Sequence, residues 1–200
     1  MHAFFTEIKN NIPLEEICQI VNYDLPSAYP GKNKIKAILI GADPTNNGTK
    51  AEPKPIKLNT VFGIGSNCEN DFFRPQLTNL KAIGLDTEDL YIQNLCRNYF
   101  KQQTTENKDW NKVAELWVKY LKEEIQHIDP KVPLLVTAEK IMKIFFSKVP
   151  KASVLYGMES EFSFHSEIIG RYVYPFYRHF SYNLNDRGKY RDFLIEKLGL

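Results

Sequence analysis

Three stretches of this chain place a reactive polar side chain at or just beyond a short apolar run. Asp43 follows IKAILIGA, Asn94 lies near the end of LYIQNLC, and Tyr174 and His179 lie within YPFYRH. A carboxylate can orient water, a carboxamide can read a donor–acceptor edge, and an imidazole or a phenol can stabilise an anion. If these groups meet, they form a site that holds a polar ligand and an attacking water.

The elements that must position these groups alternate between strands and helices. Apolar runs bounded by turn residues predict buried strands at 35–40, 90–96, 133–137 and 171–177, with a further strand candidate at 152–156. Helical periodicity predicts helices at 13–22, 76–83, 110–128, 138–149 and 188–199. This alternation predicts one α/β domain over residues 1–200, a three-layer α/β/α sandwich around a central, largely parallel sheet. Parallel strands bring their carboxyl ends to one edge, where the reactive groups should meet.

Composition limits the kinds of protein and cofactor to expect. The chain has 200 residues, of which 43% are hydrophobic, and its net charge of +2 does not by itself indicate a nucleic-acid binder. The three cysteines, Cys18, Cys68 and Cys96, form no CxxC pair, so we expect reduced thiols, no metal site and a cytoplasmic location. The N-terminal sequence and the lack of a long apolar run predict neither a signal peptide nor a membrane span.

The candidate residues also have ordinary structural interpretations. Asp43 precedes a proline and is a common type of turn residue, because its side chain can bond nearby backbone groups. Asn94 could satisfy the backbone at a strand end, His179 could be an exposed surface residue, and Phe62 could be a core aromatic. The order of these residues along the chain is more informative than any one of them.

Four segments, in this order, resemble motifs of the uracil-DNA glycosylase superfamily. GADPT at 41–45 resembles the first motif, and VFG at 61–63 resembles the segment whose phenylalanine stacks on the base. LYIQNL at 90–95 resembles the strand whose asparagine reads the uracil edge. YPFYRHFSYN at 174–183 resembles the last motif, normally His-Pro-Ser followed by a DNA-penetrating loop. The resemblance covers about residues 35–195 and implies a uracil-DNA glycosylase-like fold.

The resemblance implies a monofunctional DNA glycosylase of base-excision repair, a hydrolase of the N-glycosidic bond of uracil or a related damaged base that needs no metal or organic cofactor. Asp43 would stabilise the cationic sugar and position water, and His179 or Tyr174 would donate a hydrogen bond to the departing base. Phe62 would stack on the extruded base, and Asn94 would read its edge. The other expected base-binding residues are Gly41, Ala42 and Thr45.

Two positions depart from the family pattern. Thr45 stands where the most uracil-selective branch has a tyrosine that blocks the thymine methyl, so that branch's selectivity against bulkier bases does not carry over to this chain. Tyr174 stands where the histidine of the last motif is expected, and His179 lies five residues later. Both side chains are therefore candidates for stabilising the leaving base.

DNA is the expected partner, and we expect the protein to act as a monomer. The loop after the last motif mixes aromatic residues with Arg178, Arg187 and Lys189, which would contact the phosphate backbone. Two other interpretations stay open. One is a catalytically divergent member of the same superfamily that binds nucleic acid without cleaving it, and the other is a small-molecule hydrolase or transferase on a similar scaffold.

Overall fold

The structure of the protein, a computed structural model, describes residues 20–21, 23–48, 56–67 and 69–200. Within these residues the strands are β1 (Ile20–Val21), β2 (Ala37–Gly41), β3 (Leu90–Asn94), β4 (Tyr99–Phe100), β5 (Leu134–Val136), β6 (His165–Ser166) and β7 (Arg171–Pro175). The helices are α1 (Glu69–Phe72), α2 (Arg74–Ala82), α3 (Trp110–Ile125), α4 (Glu139–Phe145), α5 (Ala152–Gly157) and α6 (Gly188–Leu198). Short 3-10 turns lie at Val61–Gly63, Thr87–Asp89, Phe180–Tyr182 and Leu184–Asp186.

A five-stranded sheet in the order β3-β2-β5-β7-β6 forms the centre of the fold. The first four strands are parallel, and β6 pairs antiparallel with β7 at one edge. Every residue of β2 is buried, because this strand lies between β3 and β5 and its apolar side chains are covered on both faces of the sheet. The mixed α/β class and the largely parallel sheet predicted from the sequence are confirmed.

The strand order creates a switch point between β2 and β5. The chain moves from β2 outward to β3, then returns past β2 to β5 and continues to β7. Because crossovers between parallel strands are right-handed, the connection through α1 and α2 and the connection through α3 pass over opposite faces of the sheet. This arrangement is compatible with an α/β/α sandwich, and it opens a crevice at the carboxyl ends of β2 and β5.

Helix α3 covers the sheet with the apolar face that its sequence predicts. Trp110, Val113, Trp117, Leu121 and Ile125 are all buried in one core cluster with the central strands. The helix begins at the predicted residue and ends at Ile125. No helix in the described part of the chain is long and apolar enough to cross a lipid bilayer.

The strand candidate at 152–156 is wrong, because this segment forms helix α5. Its buried side chains are Ala152, Leu155 and Tyr156, at the spacing of one helical face rather than the alternation of a strand. Met158, in a left-handed conformation, ends the helix, and its backbone N–H donates to Leu155 O. A short apolar run does not distinguish a strand from a helical turn, and tertiary packing decided between them.

Two predicted helices differ in extent. The helix predicted at 138–149 is α4, which ends at Phe145 because Phe146 already has extended backbone angles. Residues 20–21 form β1, paired with β4, instead of the end of the helix predicted at 13–22. The remainder of that predicted helix lies outside the described residues.

Candidate active site

A cavity of about 310 Å³ opens at the carboxyl edge of the sheet, at the switch point between β2 and β5. Segments that follow three parallel strands supply most of its wall, namely Ala42, Asp43 and Thr45 after β2, Thr137 to Lys140 after β5, and Tyr177, Arg178 and His179 after β7. Phe62 and Thr104 also line it. The parallel topology therefore brings together residues that are far apart in the chain.

Asp43 lies on this wall, and both of its carboxylate oxygens accept hydrogen bonds. The backbone N–H of Thr45 donates to Oδ1 at 2.9 Å, in a turn typical of aspartate before proline. The Thr104 hydroxyl donates to Oδ2 at 2.5 Å, and the Trp110 indole N–H donates to the same oxygen at 2.9 Å. Burial raises the pKa of Asp43 above its ordinary value, and these hydrogen bonds to the charged form oppose that shift. The carboxylate is thus held in one orientation.

Thr104, Trp110 and Lys140 support Asp43, and sequence reasoning missed all three. The Lys140 ammonium donates to the backbone carbonyls of Thr104 at 2.6 Å and Asn107 at 2.8 Å, and it lies 5.2 Å from the centroid of the Trp110 ring. It therefore ties the loop that carries Thr104 to the cavity, and burial lowers the pKa of Lys140. Trp110 was predicted only as part of the apolar face of α3. No local pattern pairs it with Asp43, 67 residues earlier.

Phe62 lies on the cavity wall in a strained backbone conformation. Its φ angle is 54°, in the left-handed region that non-glycine residues rarely adopt. The ring is buried and packs against Phe73, with the two centroids 5.5 Å apart. Such strain persists where surrounding structure enforces it and concentrates at functional sites. Phe62 is consequently both a core aromatic and a surface available to a planar ligand.

Asn94 lies next to Gly41 rather than on the cavity wall. The two residues are partners across β2 and β3, and the Asn94 side chain is buried against Gly41. Among the described residues, no group donates a hydrogen bond to its side-chain oxygen Oδ1. The structure therefore leaves Asn94 with an unused acceptor beside Phe62, which contacts the same face of Gly41.

Adding a side chain at Gly41 is expected to disturb this packing. A Cβ atom there would lie 2.2 Å from Asn94 Oδ1 and 2.6 Å from Phe62 Cζ, closer than real contacts allow. We expect Gly41→Ala to lower the free energy of unfolding in urea by about 1–3 kcal/mol, the usual cost of overpacking. Gly188→Ala is the matched control, since a Cβ there meets nothing within 4 Å. Equal losses in the two variants would contradict a tight contact between Gly41, Phe62 and Asn94.

His179 reaches the cavity from the loop after β7. Its side chain is exposed, and its Nδ1 accepts a hydrogen bond from the backbone N–H of Ser181 at 3.3 Å. A neutral imidazole that accepts through Nδ1 carries its proton on Nε2. His179 can therefore donate a hydrogen bond to a ligand without carrying a positive charge.

Tyr174, the alternative to His179, lies elsewhere and is not part of the cavity wall. Its ring is buried against Phe164 and Phe193, with centroids 5.2 and 5.6 Å away. Burial raises the pKa of its phenol to about 12. Of the two candidates for stabilising a leaving group, the structure brings only His179 to Asp43 and Phe62.

The three cationic residues predicted to contact DNA have different surroundings. Arg178 is exposed and lines the cavity. Arg187 donates from Nε and Nη2 to the backbone carbonyl of Ser181, so it stabilises the turn after His179. Lys189 is exposed in the first turn of α6. Arg178 is thus the member of this group that contributes directly to the cavity.

The described part of the chain contains no group of three or more His, Cys, Asp or Glu side chains arranged to hold a metal ion. Cys96 is buried and forms no disulfide bond among the described residues, whereas Cys18 and Cys68 lie outside them.

Comparison with protein-family models and with curated protein sequences finds no match for this chain. The assignment of a function therefore depends on the residues of the cavity, their geometry and the order of the motifs.

Proposed function

We propose that this protein is a monofunctional DNA glycosylase with a uracil-DNA glycosylase-like fold, which hydrolyses the N-glycosidic bond of uracil or a related damaged base in DNA. The observation that carries this proposal is the Asp43 carboxylate, fixed by three hydrogen bonds in a cavity that also presents Phe62 and His179. The resemblance of four segments to the motifs of that superfamily supports it, because three of the segments contribute to one cavity.

The chemistry requires an extruded base, since the glycosidic bond is inaccessible within a stacked duplex. The cavity is partly apolar, and the Phe62 ring offers a face on which a flipped base can stack. Thr45, at the position of the tyrosine that excludes thymine in the most selective branch, donates its backbone N–H to Asp43, and its hydroxyl accepts from the backbone N–H of Phe100. A small side chain here supports a substrate range that includes bases bulkier than uracil.

Asp43 would act on both the sugar and the attacking water during hydrolysis. The C1′–N1 bond breaks and its electron pair leaves with the base, while the sugar becomes cationic. The Asp43 carboxylate stabilises this cation and accepts a proton from the water whose oxygen bonds to C1′. Burial raises the pKa of Asp43, which makes it a stronger base than an exposed aspartate.

His179 would stabilise the departing base. Its Nε2–H is free to donate because Nδ1 is occupied by the Ser181 N–H. A neutral donor aimed at a developing oxyanion lowers the barrier without needing a change in protonation. Tyr174 takes no part in this step, because it is buried among aromatic rings outside the cavity.

Replacing His179 and Tyr174 in turn tests which of the two side chains stabilises the departing base. We expect His179→Ala to slow single-turnover release of uracil by about 10²-fold, the usual cost of losing one oxyanion donor. Tyr174→Phe is the matched control and should leave the rate nearly unchanged. Release is measured by chromatography of free uracil from an oligonucleotide that contains one deoxyuridine. A rate that falls in Tyr174→Phe but not in His179→Ala would reverse these roles.

The wild-type protein itself provides the test of function. We expect free uracil and an alkali-sensitive abasic site from single- or double-stranded oligonucleotides with one deoxyuridine.

The second candidate function is nucleic-acid binding without cleavage. One observation favours it, the buried Tyr174 at the position of the expected histidine of the last motif. Binding without release of any base from a panel of damaged oligonucleotides would support that candidate and contradict the glycosylase.

A further inference from the structure

The ammonium group of Lys140 lies against both side chains that donate hydrogen bonds to Asp43 Oδ2. Its Nζ donates to the backbone carbonyl of Thr104 at 2.6 Å and lies 5.2 Å from the centroid of the Trp110 ring. The Thr104 hydroxyl and the Trp110 indole N–H donate to Oδ2, at 2.5 and 2.9 Å. Only these two residues therefore separate the positive charge from the carboxylate.

The start of α4 fixes this arrangement. The backbone N–H of Thr137 donates to the carbonyl of Ile40 at 3.0 Å, which holds the segment before α4 against the end of β2, just ahead of Asp43. Lys140 follows in the first turn of α4, and its Nζ donates to a second carbonyl, that of Asn107, at 2.8 Å. The side chain is half-buried, so these bonds leave the ammonium little freedom to move away.

The position of Lys140 is unfavourable for a cation on local grounds. The first turn of a helix is the positive end of its dipole, and burial lowers the pKa of Lys140. The charge of Asp43 acts in the opposite direction and raises the pKa of Lys140. A charged lysine at this position therefore depends on the buried carboxylate, and by reciprocity the carboxylate depends on the lysine.

The other titratable groups around this pair are exposed, neutral or further from the loop that carries Thr104. That loop contributes only the neutral Thr104 and Thr105 to the cavity wall. The buried Cys96, two residues after β3, acts on Lys140. The remaining titratable residues of the wall come from α4 and from the segment after β7, and they are Glu139, Tyr177, Arg178, His179 and Tyr182. Glu139 pairs with Lys143 at 2.6 Å, and solvent screens the exposed charges of Glu139 and Arg178.

The ammonium acts on Asp43 in two physical ways. A positive charge close to a carboxyl favours its ionised form, and more strongly where the carboxyl is buried. A cation near the indole ring also draws electron density from it, which strengthens the Trp110 N–H as a donor to Oδ2. Both effects require the charge of Lys140, whereas its hydrogen bonds to the two carbonyls require only a donor.

We infer that Lys140 is a positioning residue for Asp43, whose positive charge keeps the buried carboxyl ionised while its hydrogen bonds hold Thr104 in place. Lys140 acts through Thr104 and Trp110 rather than on the reacting atoms. The inference rests on the proposed function for the reaction that Asp43 performs. It assigns to Lys140 the acid limit of that reaction.

Three variants separate the charge of Lys140 from its hydrogen bonds. Lys140→Gln removes the charge but keeps an NH₂ group that can donate to both carbonyls. Lys140→Arg keeps the charge and the donors, so it should behave like the wild-type protein. Lys148→Gln is the matched control, because Lys148 is an exposed lysine after α4 that does not line the cavity.

The first measurement does not depend on activity. The chain has two tryptophans, so its ¹H–¹⁵N spectrum has two indole signals. The signal of Trp110, which donates to Asp43, should titrate with the carboxyl, and Asp43→Asn should abolish that titration. Trp117 donates to the neutral Asn98 Oδ1 at 2.8 Å, so its signal is the internal reference and reports an intact fold. In Lys140→Gln the midpoint of the Trp110 titration should move to higher pH, and it should stay in place in Lys140→Arg and Lys148→Gln.

The second measurement is single-turnover release of uracil as a function of pH. On the acid side of the wild-type midpoint, Lys140→Gln should be about tenfold slower than wild type, the effect of losing one nearby opposite charge. The two rates should converge at about pH 8, where the carboxyl is ionised in both proteins. A merely structural role would lower the rate by the same factor at every pH.

Two results would overturn the inference, namely the same Trp110 midpoint in Lys140→Gln as in the wild-type protein, and a loss of rate that does not vary with pH. The proposed function fails separately. Release of uracil with an unmoved midpoint would leave the glycosylase and remove the role of Lys140. A midpoint that moves in a protein that releases no base would support the control of Asp43 by Lys140 and contradict the glycosylase.

Discussion

Replacing Asp43 with asparagine is expected to slow uracil release by about 10²–10⁴-fold, the range associated with loss of a general base. Affinity for the oligonucleotide should change little, because the amide is nearly isosteric and Asp43 is not among the cations that contact phosphate. The measurement is single-turnover release of uracil, with binding followed separately by anisotropy.

The hydrogen bonds of Asp43 explain why this effect should be large. Thr45 N–H, the Thr104 hydroxyl and the Trp110 indole all donate to the carboxylate. An asparagine retains one acceptor oxygen, but its NH₂ group is a donor and cannot accept the hydrogen bonds made to the other carboxylate oxygen. The variant therefore loses both the negative charge and the fixed orientation.

A matched control separates the loss of a catalytic group from a general effect of replacing a carboxylate. Asp192→Asn removes a carboxylate from α6, where Asp192 pairs with Arg191 on the surface. It should release uracil at the wild-type rate. If Asp43→Asn retained that rate too, the assignment of Asp43 as the catalytic carboxylate would be wrong.

The pH dependence follows from the direction of the pKa shift. Burial raises the pKa of Asp43, and a carboxyl with a folded-state pKa above its unfolded value stabilises the fold below the unfolded pKa. That contribution is lost as pH rises through the folded-state pKa. Wild-type protein should therefore gain stability relative to Asp43→Asn as pH is lowered from neutral, while uracil release declines because the carboxyl becomes protonated. Urea unfolding and uracil release measured between about pH 4 and pH 7 check both trends.

Arg171→Met is expected to cause the largest loss of stability, about 3 kcal/mol in the free energy of unfolding. Arg171 begins β7, is buried, and donates to the carbonyls of Ile125, Ile128, Asp129 and Val132. These carbonyls belong to the C-terminal end of α3 and the loop that leads to β5. One guanidinium thus satisfies acceptors that a helix end leaves without partners.

Methionine has a similar length and keeps the apolar packing, so the variant removes mainly the donors. Urea denaturation followed by circular dichroism gives the free energy. Arg191→Met is the control, because its ion pair with Asp192 is at the surface and should contribute little. A loss of stability in Arg171→Met no greater than in Arg191→Met would show that the four carbonyls do not depend on Arg171.

Much of the fold follows from local patterns in the chain. The buried strands at 35–40 and 90–96 and the helix that begins at Trp110 are indicated by hydrophobic periodicity, which requires only neighbouring residues. The expectation that Asp43 lies at a strand end beside residues from other strand ends follows from parallel topology. The strand predicted at 152–156 was wrong, because a short apolar run fits a helix as well as a strand.

The residue types show which side chains could do chemistry, and the strand pattern indicates that the strand ends bring these side chains together. Which of them share the cavity could not be predicted locally, because that depends on contacts between distant segments. Thr104 and Trp110 reach Asp43 across 61 and 67 residues. Tyr174 lies within β7 and packs into an aromatic cluster, whereas His179 lies beyond the strand and reaches the cavity. Side chains alternate between the two faces of a strand, and a local pattern does not show which face borders the cavity. The loop beyond β7 is shaped by long-range hydrogen bonds such as the one that Asn79 Oδ1 accepts from the backbone N–H of Leu184. No local pattern could therefore have predicted that His179 rather than Tyr174 reaches the cavity.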